Sequence, residues 1–328
     1  MCSDGSAVNR ALRLALAGDV MLGRGVARAI VGGQQPLLDA DVVAVAGGAD
    51  LFLVNLECCI SERGEPWPAA GKPFFFRAPP RAAELLAGWG VDCVSLANNH
   101  ALDYGRVALL DTIEHLRAVG IAWVGAGADI YEARAPRWLR AAEQRVAVLA
   151  ATDHPADFAA ATDRPGVAYA DLRTGVPAWL TDGLAASAAA DVRLCMVHWG
   201  PNMTAGPVAH VRQAASQLRS AGATMIAGSS AHVPHGAVDG VLYDLGDFVD
   251  DYAVDAALRN DLGLLFLVTF AESRPADAEA VPLALDFCHT RLAEGRDAGF
   301  VCDRFARACG ELGGAAEVVD GRVRFRLA

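Results

Sequence analysis

The chain has 328 residues, of which 53% are hydrophobic, so it is long enough to bury a sizeable core. Its formal net charge of −11 argues against a nucleic-acid or anionic-membrane surface, because phosphate binding needs a cationic face. No apolar run reaches the roughly 18 residues that a membrane span needs. The short polar start, residues 1–9, lacks the basic and apolar regions of a signal peptide. We therefore expect a cytoplasmic protein with neither a nucleic-acid partner nor a membrane span.

Short β-branched runs alternate with helical patterns along the chain, which indicates a layered α/β fold. The predicted strands are, in chain order, residues 12–19, 51–56, 92–97, 121–124, 145–151, 192–198 and 224–227. Helices are predicted from Pro79-Pro80 to Trp89 and over residues 106–119 and 207–221. A last group, residues 241–245, 263–270, 281–289 and 316–327, comes without long helices between its members and is predicted to form antiparallel strands and hairpins.

Two long irregular stretches, residues 61–79 and 153–176, interrupt this pattern. Loops of this length are often binding loops or lids. The alanine-rich residues 184–190 are predicted to end a helix, and no repeat or linker divides the chain. We therefore predict one domain over residues 10–328. The part from about Leu262 carries no functional motif and is expected to complete a second sheet.

The eight cysteines show no CxxC spacing, and most of them lie inside apolar runs. They are therefore predicted to be reduced core thiols rather than disulfides or zinc ligands. This prediction agrees with a cytoplasmic location.

Side chains that can bind metal follow one predicted strand after another. They are Asp19, Asn55, Glu57, Asn98, Asn99, His100, Asp103, His198, His232, His235, Asp244 and Asp247. A lone aspartate after a strand is usually a turn residue or a helix cap. In an open α/β sheet, however, ligands gather beyond the carboxyl ends of the strands. The repetition therefore predicts that these groups converge on one cleft.

The predicted ligands are oxygen and imidazole groups, which suit one or two ions of Mn, Fe, Zn or Ni better than Ca or Mg. The absence of strand-end cysteines argues against a closed structural zinc site. An open metal site can polarise a carbonyl or phosphoryl oxygen or lower the pKa of bound water to about 7. The cleft is therefore predicted to be catalytic.

Three cations are predicted to bind an anionic substrate. Arg24 follows Asp19 closely and is placed to meet an anionic group. Lys72, the only lysine in the chain, and Arg77 flank three consecutive phenylalanines in the first irregular stretch. They are expected to contact the substrate from above the cleft.

Other polar groups are predicted to have no function. His154, His210 and His289 have no partner in the sequence. Asp250, Asp251 and Asp255 are expected to be solvated charges.

Five motifs together resemble the CapA family of poly-γ-glutamate capsule-synthesis proteins, which is related to calcineurin-like metallophosphoesterases. They are Gly18-Asp19-Val20-Met21-Leu22, Asn55-Leu56-Glu57, the segment 95–105 around Asn98-Asn99-His100, His198-Trp199-Gly200, and the segment 243–248. The match runs in order from about residue 12 to residue 255, and the Asn-Asn-His segment is its most specific part.

The resemblance implies a four-layer αββα sandwich with a metal centre at its strand ends. By position, Asp19 and His232 would hold one ion, Asn99 and His198 the other, and Glu57 would bridge them. His100 would be the acid/base beside the metal, with Asp103 and His235 as further catalytic candidates.

Three departures from the family pattern bear on function. Met21 stands where typical phosphoesterases have a histidine. Ser229 stands where a second histidine is expected, and its loss would weaken one metal position, to the point of a mononuclear site. Many relatives carry an N-terminal membrane anchor, which is not expected here.

The leading functional hypothesis is a metal-dependent hydrolase that acts on an amide or phosphoester of an anionic small molecule, polymer or peptide. The first alternative is a peptide epimerase that tailors a ribosomally made, lasso-type peptide, with His100, His235 and Lys72 as candidate bases. The second is a non-catalytic assembly factor for a capsule polymer.

Overall fold

The computed structural model describes residues 10–33, 36–69 and 71–327, so the predictions on residues 1–9 lie outside the described part. The strands are β1 Leu12–Val20, β2 Leu51–Leu56, β3 Cys59–Ile60, β4 Arg77–Ala78, β5 Cys93–Ser95, β6 Ala122–Val124, β7 Ala126–Gly127, β8 Arg137–Ala141, β9 Gln144–Thr152, β10 Gly166–Val167, β11 Val192–His198, β12 Met225–Ser229, β13 Ala237–Val238, β14 Val241–Leu242, β15 Asp247–Val249, β16 Leu262–Ala271, β17 Arg274–Asp286, β18 His289–Leu292, β19 Ala316–Val319 and β20 Arg322–Phe325. The helices are α1 Arg24–Gly32, α2 Ala40–Ala46, α3 Arg81–Gly88, α4 Gly105–Ala118, α5 Ile130–Arg134, α6 Ala178–Ala186, α7 Ala209–Ser220 and α8 Gly295–Glu311, with a 3-10 turn at Ala156–Phe158.

Two mixed sheets organise these elements, which confirms the predicted α/β class. The ten-stranded sheet has the order β19-β20-β17-β16-β1-β2-β5-β6, with β15 beside β1 and β18 beside β17. Strands β1, β2, β5 and β6 are parallel, whereas β16 to β20 pair in antiparallel fashion. The six-stranded sheet has the order β13-β14-β12-β11-β9-β8 and a parallel centre.

The alternation of side chains along the strands places the core on both faces of each sheet. Leu14 of β1 packs in one cluster with Val148 and Leu194 of the other sheet, so the two sheets face each other. Ala15 points to the opposite face of β1, which is covered by helices α1 to α4. Helices α6 and α7 cover the outer face of the six-stranded sheet. Each fully buried leucine in these layers contributes about 1.5–3 kcal/mol of transfer free energy.

The predicted strands 51–56 and 192–198 match β2 and β11 residue for residue. The predicted helices match α3, α4 and α7 within a few residues at each end. The irregular stretches are confirmed as largely loop, apart from short elements and from residue 70, which is outside the described part. We call residues 61–79 the first long loop and residues 153–176 the second long loop.

Two predictions for the C-terminal part were wrong. Helix α8, with 17 residues, lies between β18 and β19, where no long helix was expected. Its three glycines lower its intrinsic helix propensity, but Val301, Phe305 and Cys309 recur every four residues and are buried. The strands from Leu262 onward extend the sheet that contains β1 instead of completing the other one.

The seven cysteines in the described residues are free thiols, and six of them are buried. This agrees with the prediction of reduced core residues. None of the helices in that same part of the chain is both long enough and apolar enough to cross a membrane.

Candidate metal centre

The end of β1 carries the first site residue, Asp19, and a close backbone approach brings a second beside it. The Asp19 amide donates to the Gly246 carbonyl at 2.9 Å, and β15 pairs with β1 so that Asp247 lies opposite Asp19. A Cβ on Gly18 would lie 1.7 Å from the Gly246 oxygen. Glycine at position 18 is therefore required for the two aspartates to meet.

Four buried side chains form a cluster in which one ligand atom of each lies within 4.8 Å of all the others: Asp19, Glu57, His232 and Asp247. His232 Nδ1 is 2.8 Å from Asp247 Oδ1 and 3.5 Å from Asp19 Oδ2. We call these four residues the carboxylate cluster. They come from the ends of β1 and β2, from the turn after β12, and from the start of β15.

Two more histidines border the cluster at Glu57. The Glu57 Oε1 atom lies 3.8 Å from His198 Nε2 and 3.9 Å from His100 Nε2. The other ring nitrogen of His198 is 2.9 Å from the Ser229 hydroxyl. The structure thus brings together five of the predicted site residues, namely Asp19, Glu57, His100, His198 and His232. Ser229 orients a histidine where a further histidine was expected.

The polar atoms of this region fit a divalent cation. Several buried atoms have no hydrogen-bond partner among the described residues: Asp19 Oδ2, Glu57 Oε1, Asp247 Oδ2, His198 Nε2 and Asn99 Oδ1. Buried polar atoms without a partner are costly, and a cation would satisfy these acceptors together. Their number and their donor types, carboxylate, amide and imidazole, suit a metal ion.

The electrostatics of the cluster support the same conclusion. Burial raises the pKa of Asp19 to about 6, and it raises the pKa values of Glu57 and Asp247 well above their ordinary values. Burial opposes the charge on His232, but the neighbouring carboxylates of Asp247 and Glu57 raise its pKa well above its ordinary value. Several carboxylates share one buried space with a single protonatable histidine, and a bound divalent ion would relieve their repulsion.

His100 is held firmly beside the cluster. Its Nδ1 lies 2.6 Å from Asp103 Oδ2, and the same oxygen accepts the Phe76 amide at 2.6 Å. The Phe76 ring stacks on the imidazole with centroids 4.0 Å apart. Burial lowers the pKa of His100 to about 4. Asp103 and Phe76 therefore fix the ring with its Nε2 on the side of Glu57.

The turn after β12 is conformationally strained. Ser230 and His232 have φ values of 115° and 61°, in a region that side chains other than glycine rarely adopt. The Asp244 carboxylate accepts the amides of Ala231 and Gly246, each at 2.8 Å, and holds the turn in place. Strain of this kind costs about 1–3 kcal/mol per residue and concentrates at functional sites.

The three predicted substrate-binding cations differ in their surroundings. Arg24 Nε lies 3.3 Å from Asp251, and its guanidinium covers the Phe74 ring at 5.2 Å. Lys72 Nζ donates to the Asn99 carbonyl at 2.6 Å and lies 2.8 Å from Asp103 Oδ1. Arg77 donates to backbone carbonyls of its own loop and stacks on Tyr104 at 4.0 Å, so its visible contacts are structural.

His235 is not brought to the cluster. Its Nε2 lies 2.8 Å from the Thr204 carbonyl, and burial lowers its pKa to about 4. It lines a small separate cavity with Trp199 and Pro201. We therefore do not carry its predicted catalytic role further.

The sequence did not predict the part that four residues play in this region. Asp247 was predicted to be able to bind metal but was not assigned as a ligand, and it lies in the cluster. Tyr252 was not predicted to have a role, and its hydroxyl donates to Glu57 Oε2 at 3.2 Å. Asp250 and Asp251 were expected to be solvated, but they are buried and accept the amides of Tyr252 and Gly25. That expectation was wrong because the sequence alone does not show that these two carboxylates lie in the interior.

Comparisons with known proteins agree with the motifs. A family model described as "Bacterial capsule synthesis protein PGA_cap" matches residues 13–252. A probable polyglutamine synthesis accessory protein of Mycobacterium tuberculosis (strain H37Rv) is 30% identical over 320 residues, covering 82% of each chain. The PGA biosynthesis protein CapA of Bacillus subtilis (strain 168) is 27% identical over 246 residues, covering 73% of this chain and 63% of that protein. A hypothetical protein of Thermus thermophilus aligns with a TM-score of 0.48 at 15% identity, over 84% of this chain and 100% of that one.

Proposed function

The chain belongs to the bacterial capsule synthesis protein family, and from this premise we propose that it is a metal-dependent hydrolase of an amide or phosphoester in an anionic substrate. The observation that carries the proposal is the carboxylate cluster, whose unpartnered buried atoms lie next to the His100–Asp103 pair. A cation site beside a firmly held histidine is a combination that suits hydrolysis. The relative named for PGA biosynthesis supports an anionic polymer as the substrate.

We propose that the carboxylate cluster holds one Mn, Fe, Zn or Ni ion, with Asp247 among its ligands. His198 and Asn99 would hold a second ion that shares Glu57, since each offers a buried atom without a partner. Ser229 contributes no imidazole there, so this second position is the weaker one. Such a metal, when bound, polarises the scissile carbonyl or phosphoryl oxygen and acidifies a water molecule.

The protein's own groups would then handle the proton. His100 would accept a proton at Nε2 from the attacking water and then pass it to the leaving group, because its Nδ1 proton is committed to Asp103. Asp103 keeps the ring in one orientation and one tautomer, which is the role of a buried carboxylate behind a catalytic histidine. Phe76 covers one face of the imidazole and excludes water from it.

We also propose that the fold is of the calcineurin-like metallophosphoesterase type and that residues 10–328 form one domain. The two facing sheets with helices outside them support the first point. The second is supported by a shared core, because Leu14 near the start packs in the same cluster as Phe305 and Phe325 near the end.

The experiment is elemental analysis of untagged protein, followed by assays with a γ-glutamyl anilide and an aryl phosphodiester. We expect near-stoichiometric metal and a hydrolysis rate that a chelator abolishes and the metal restores. The variant His100→Gln should keep the metal and lose the rate. Wild-type protein that binds no metal even after reconstitution would contradict the proposal.

One observation favours a second candidate, a non-catalytic assembly factor for a capsule polymer: the mycobacterial relative is named an accessory protein. This candidate predicts that Asp19→Asn and His100→Gln variants still support polymer formation in cells. Loss of polymer formation in both would exclude it. Peptide epimerisation stays a prediction, since the names of the relatives reported above do not support it.

A further inference from the structure

The first and second long loops meet beside the metal centre. Trp67 Nε1 donates to Asp157 Oδ2 at 2.8 Å, and its ring packs edge-on against Phe158 with centroids 5.0 Å apart. An open pocket of about 330 Å³ lies between the loops, a size suited to a small ligand group. The residues that line it include Lys72, Asn99, His154, Asp157 and Phe158. The pocket thus shares Asn99 with the proposed second metal position.

Lys72 places a cation in this pocket, and one of its N–H donors is free to bind a ligand. An ammonium group has three N–H donors. The Asn99 carbonyl and Asp103 occupy two of them, at 2.6 and 2.8 Å. The Lys72 side chain is 14% exposed to solvent, and its ammonium lies 5.2 Å from the centroid of the Phe158 ring. One donor of a positive group therefore remains for a ligand carboxylate.

His154 gives the pocket an acceptor. The buried Asp153 carboxylate accepts the Gly200 amide at 3.0 Å and lies 3.1 Å from His210 Nε2 and 2.5 Å from His154 Nδ1. Because a carboxylate offers only acceptors, the contact with Asp153 places the His154 proton on Nδ1. In that tautomer Nε2 has a free lone pair, and the structure gives it no hydrogen-bond partner among the described residues. Its ring lies 5.3 Å from that of His198, so the pocket borders the metal centre on this side too.

We infer that this pocket anchors one N-acylated α-amino acid of the substrate, with its carboxylate at Lys72 and its amide N–H at His154. The inference rests on the proposed function and specifies the part of the substrate that is recognised. Lys72 and His154 are binding residues here, and Asp153 and His210 are positioning residues. Asp157 is already engaged by Trp67 and does not compete for the ligand amide.

Two kinds of molecule contain an N-acylated α-amino acid with a free α-carboxylate. In a γ-linked glutamate chain, every residue after the first has a free α-carboxylate next to an acylated nitrogen. In an ordinary α-linked peptide, only the C-terminal residue does. The two sources can be separated with γ-linked tri-glutamate, α-linked tri-glutamate, and α-linked tri-glutamate with a C-terminal amide.

The test is calorimetric titration of these three peptides into the metal-loaded full chain. We expect γ-linked tri-glutamate to bind, and Lys72→Gln and His154→Phe each to weaken it by about 10- to 100-fold, the usual effect of losing a hydrogen bond to a charged or buried partner. The control His289→Gln, a histidine that pairs with Asp39 on another part of the surface, should bind as the wild type does. Tight binding of α-linked tri-glutamate would also support the pocket and would identify a peptide C-terminus as the source.

A second readout uses the single lysine of the chain. Acetylation of amines followed by mass spectrometry should modify Lys72 slowly in the free protein, and γ-linked tri-glutamate should protect it. Equal binding of γ-linked tri-glutamate by the wild type and both variants would overturn the inference. So would binding of the C-terminal amide of α-linked tri-glutamate that is as tight as binding of the peptides with a free α-carboxylate. Metal content is measured on the same samples: absence of metal contradicts the proposed hydrolase, whereas the binding comparison tests the pocket alone.

Discussion

The carboxylate cluster and the pocket between the long loops lie side by side, but they are built differently. The cluster uses residues at or just beyond strand ends, and backbone hydrogen bonds between neighbouring strands fix the positions of Asp19 and Asp247. The pocket uses two loops that are held together by side chains such as Trp67 and Asp157. Because loops vary more readily than strand ends, we expect the cluster to determine the chemistry and the pocket to determine the substrate.

The largest expected effect comes from a change in the cluster itself. Asp19→Asn removes a charged ligand while keeping the size of the side chain. We expect the metal to be lost and hydrolysis to fall by more than the roughly 100-fold typical of losing an outer-shell partner. Elemental analysis measures the metal content, and the γ-glutamyl anilide assay measures the hydrolysis rate. A variant that keeps full metal content would show that Asp19 is not a ligand.

The next largest effect separates proton transfer from metal binding. His100→Gln keeps a polar side chain that cannot carry a proton at this position. Hydrolysis should fall by about 10²- to 10⁴-fold, the usual contribution of general acid–base catalysis, with metal content unchanged. An unchanged rate would remove His100 from the mechanism, and His289→Gln serves as the matched surface control.

A smaller effect concerns stability and pH. Burial raises the pKa of Asp244 from 3.8 to about 6, so the folded state holds this proton more tightly than the unfolded state does. This contribution to stability is present below about pH 4 and is lost as the pH rises through about 6, at a cost of about 3 kcal/mol at most. In chelator-treated protein, urea titrations should show a shallower decline with pH for Asp244→Asn than for the wild type. The same slope in both proteins would contradict the assignment.

The smallest effect tests the junction between the loops. Trp67→Phe removes the hydrogen bond to Asp157, which is worth about 0.5–1.5 kcal/mol. We expect faster proteolysis within the first long loop and weaker binding of γ-linked tri-glutamate, with no change in metal content. Trp138→Phe, at an exposed tryptophan of β8, is the matched control. Loss of metal in Trp67→Phe would show that the two regions are not separable.

Much of the cluster could be predicted because its signals are local. Asp19, Glu57 and His198 each end a mostly apolar run, and parallel strands bring such ends to one edge of each of the two facing sheets. Asp247 could not be assigned in the same way. Its position depends on the pairing of β15 with β1, which no local pattern encodes.

The missed features share this dependence on distant contacts. His210 is far from His154 in the sequence, and the fold links the two histidines only through Asp153. Helix α8 contains three glycines, and its apolar face is stabilised by packing of Phe305 against Phe266 and Phe325. Periodicity identifies an element, but the packing partner that stabilises it must be known from the fold.

The approach of Gly246 to Gly18 bears on how the protein matures in the cell. Asp19 and Asp247 meet only after the first strand has paired with one from the last third of the chain. The proposed cation would therefore bind a chain that has already closed its central sheet and would not nucleate folding. Once bound, it stabilises the native state by mass action. If the proposed metal binds, the lifetime of the protein in the cell should follow the supply of that metal.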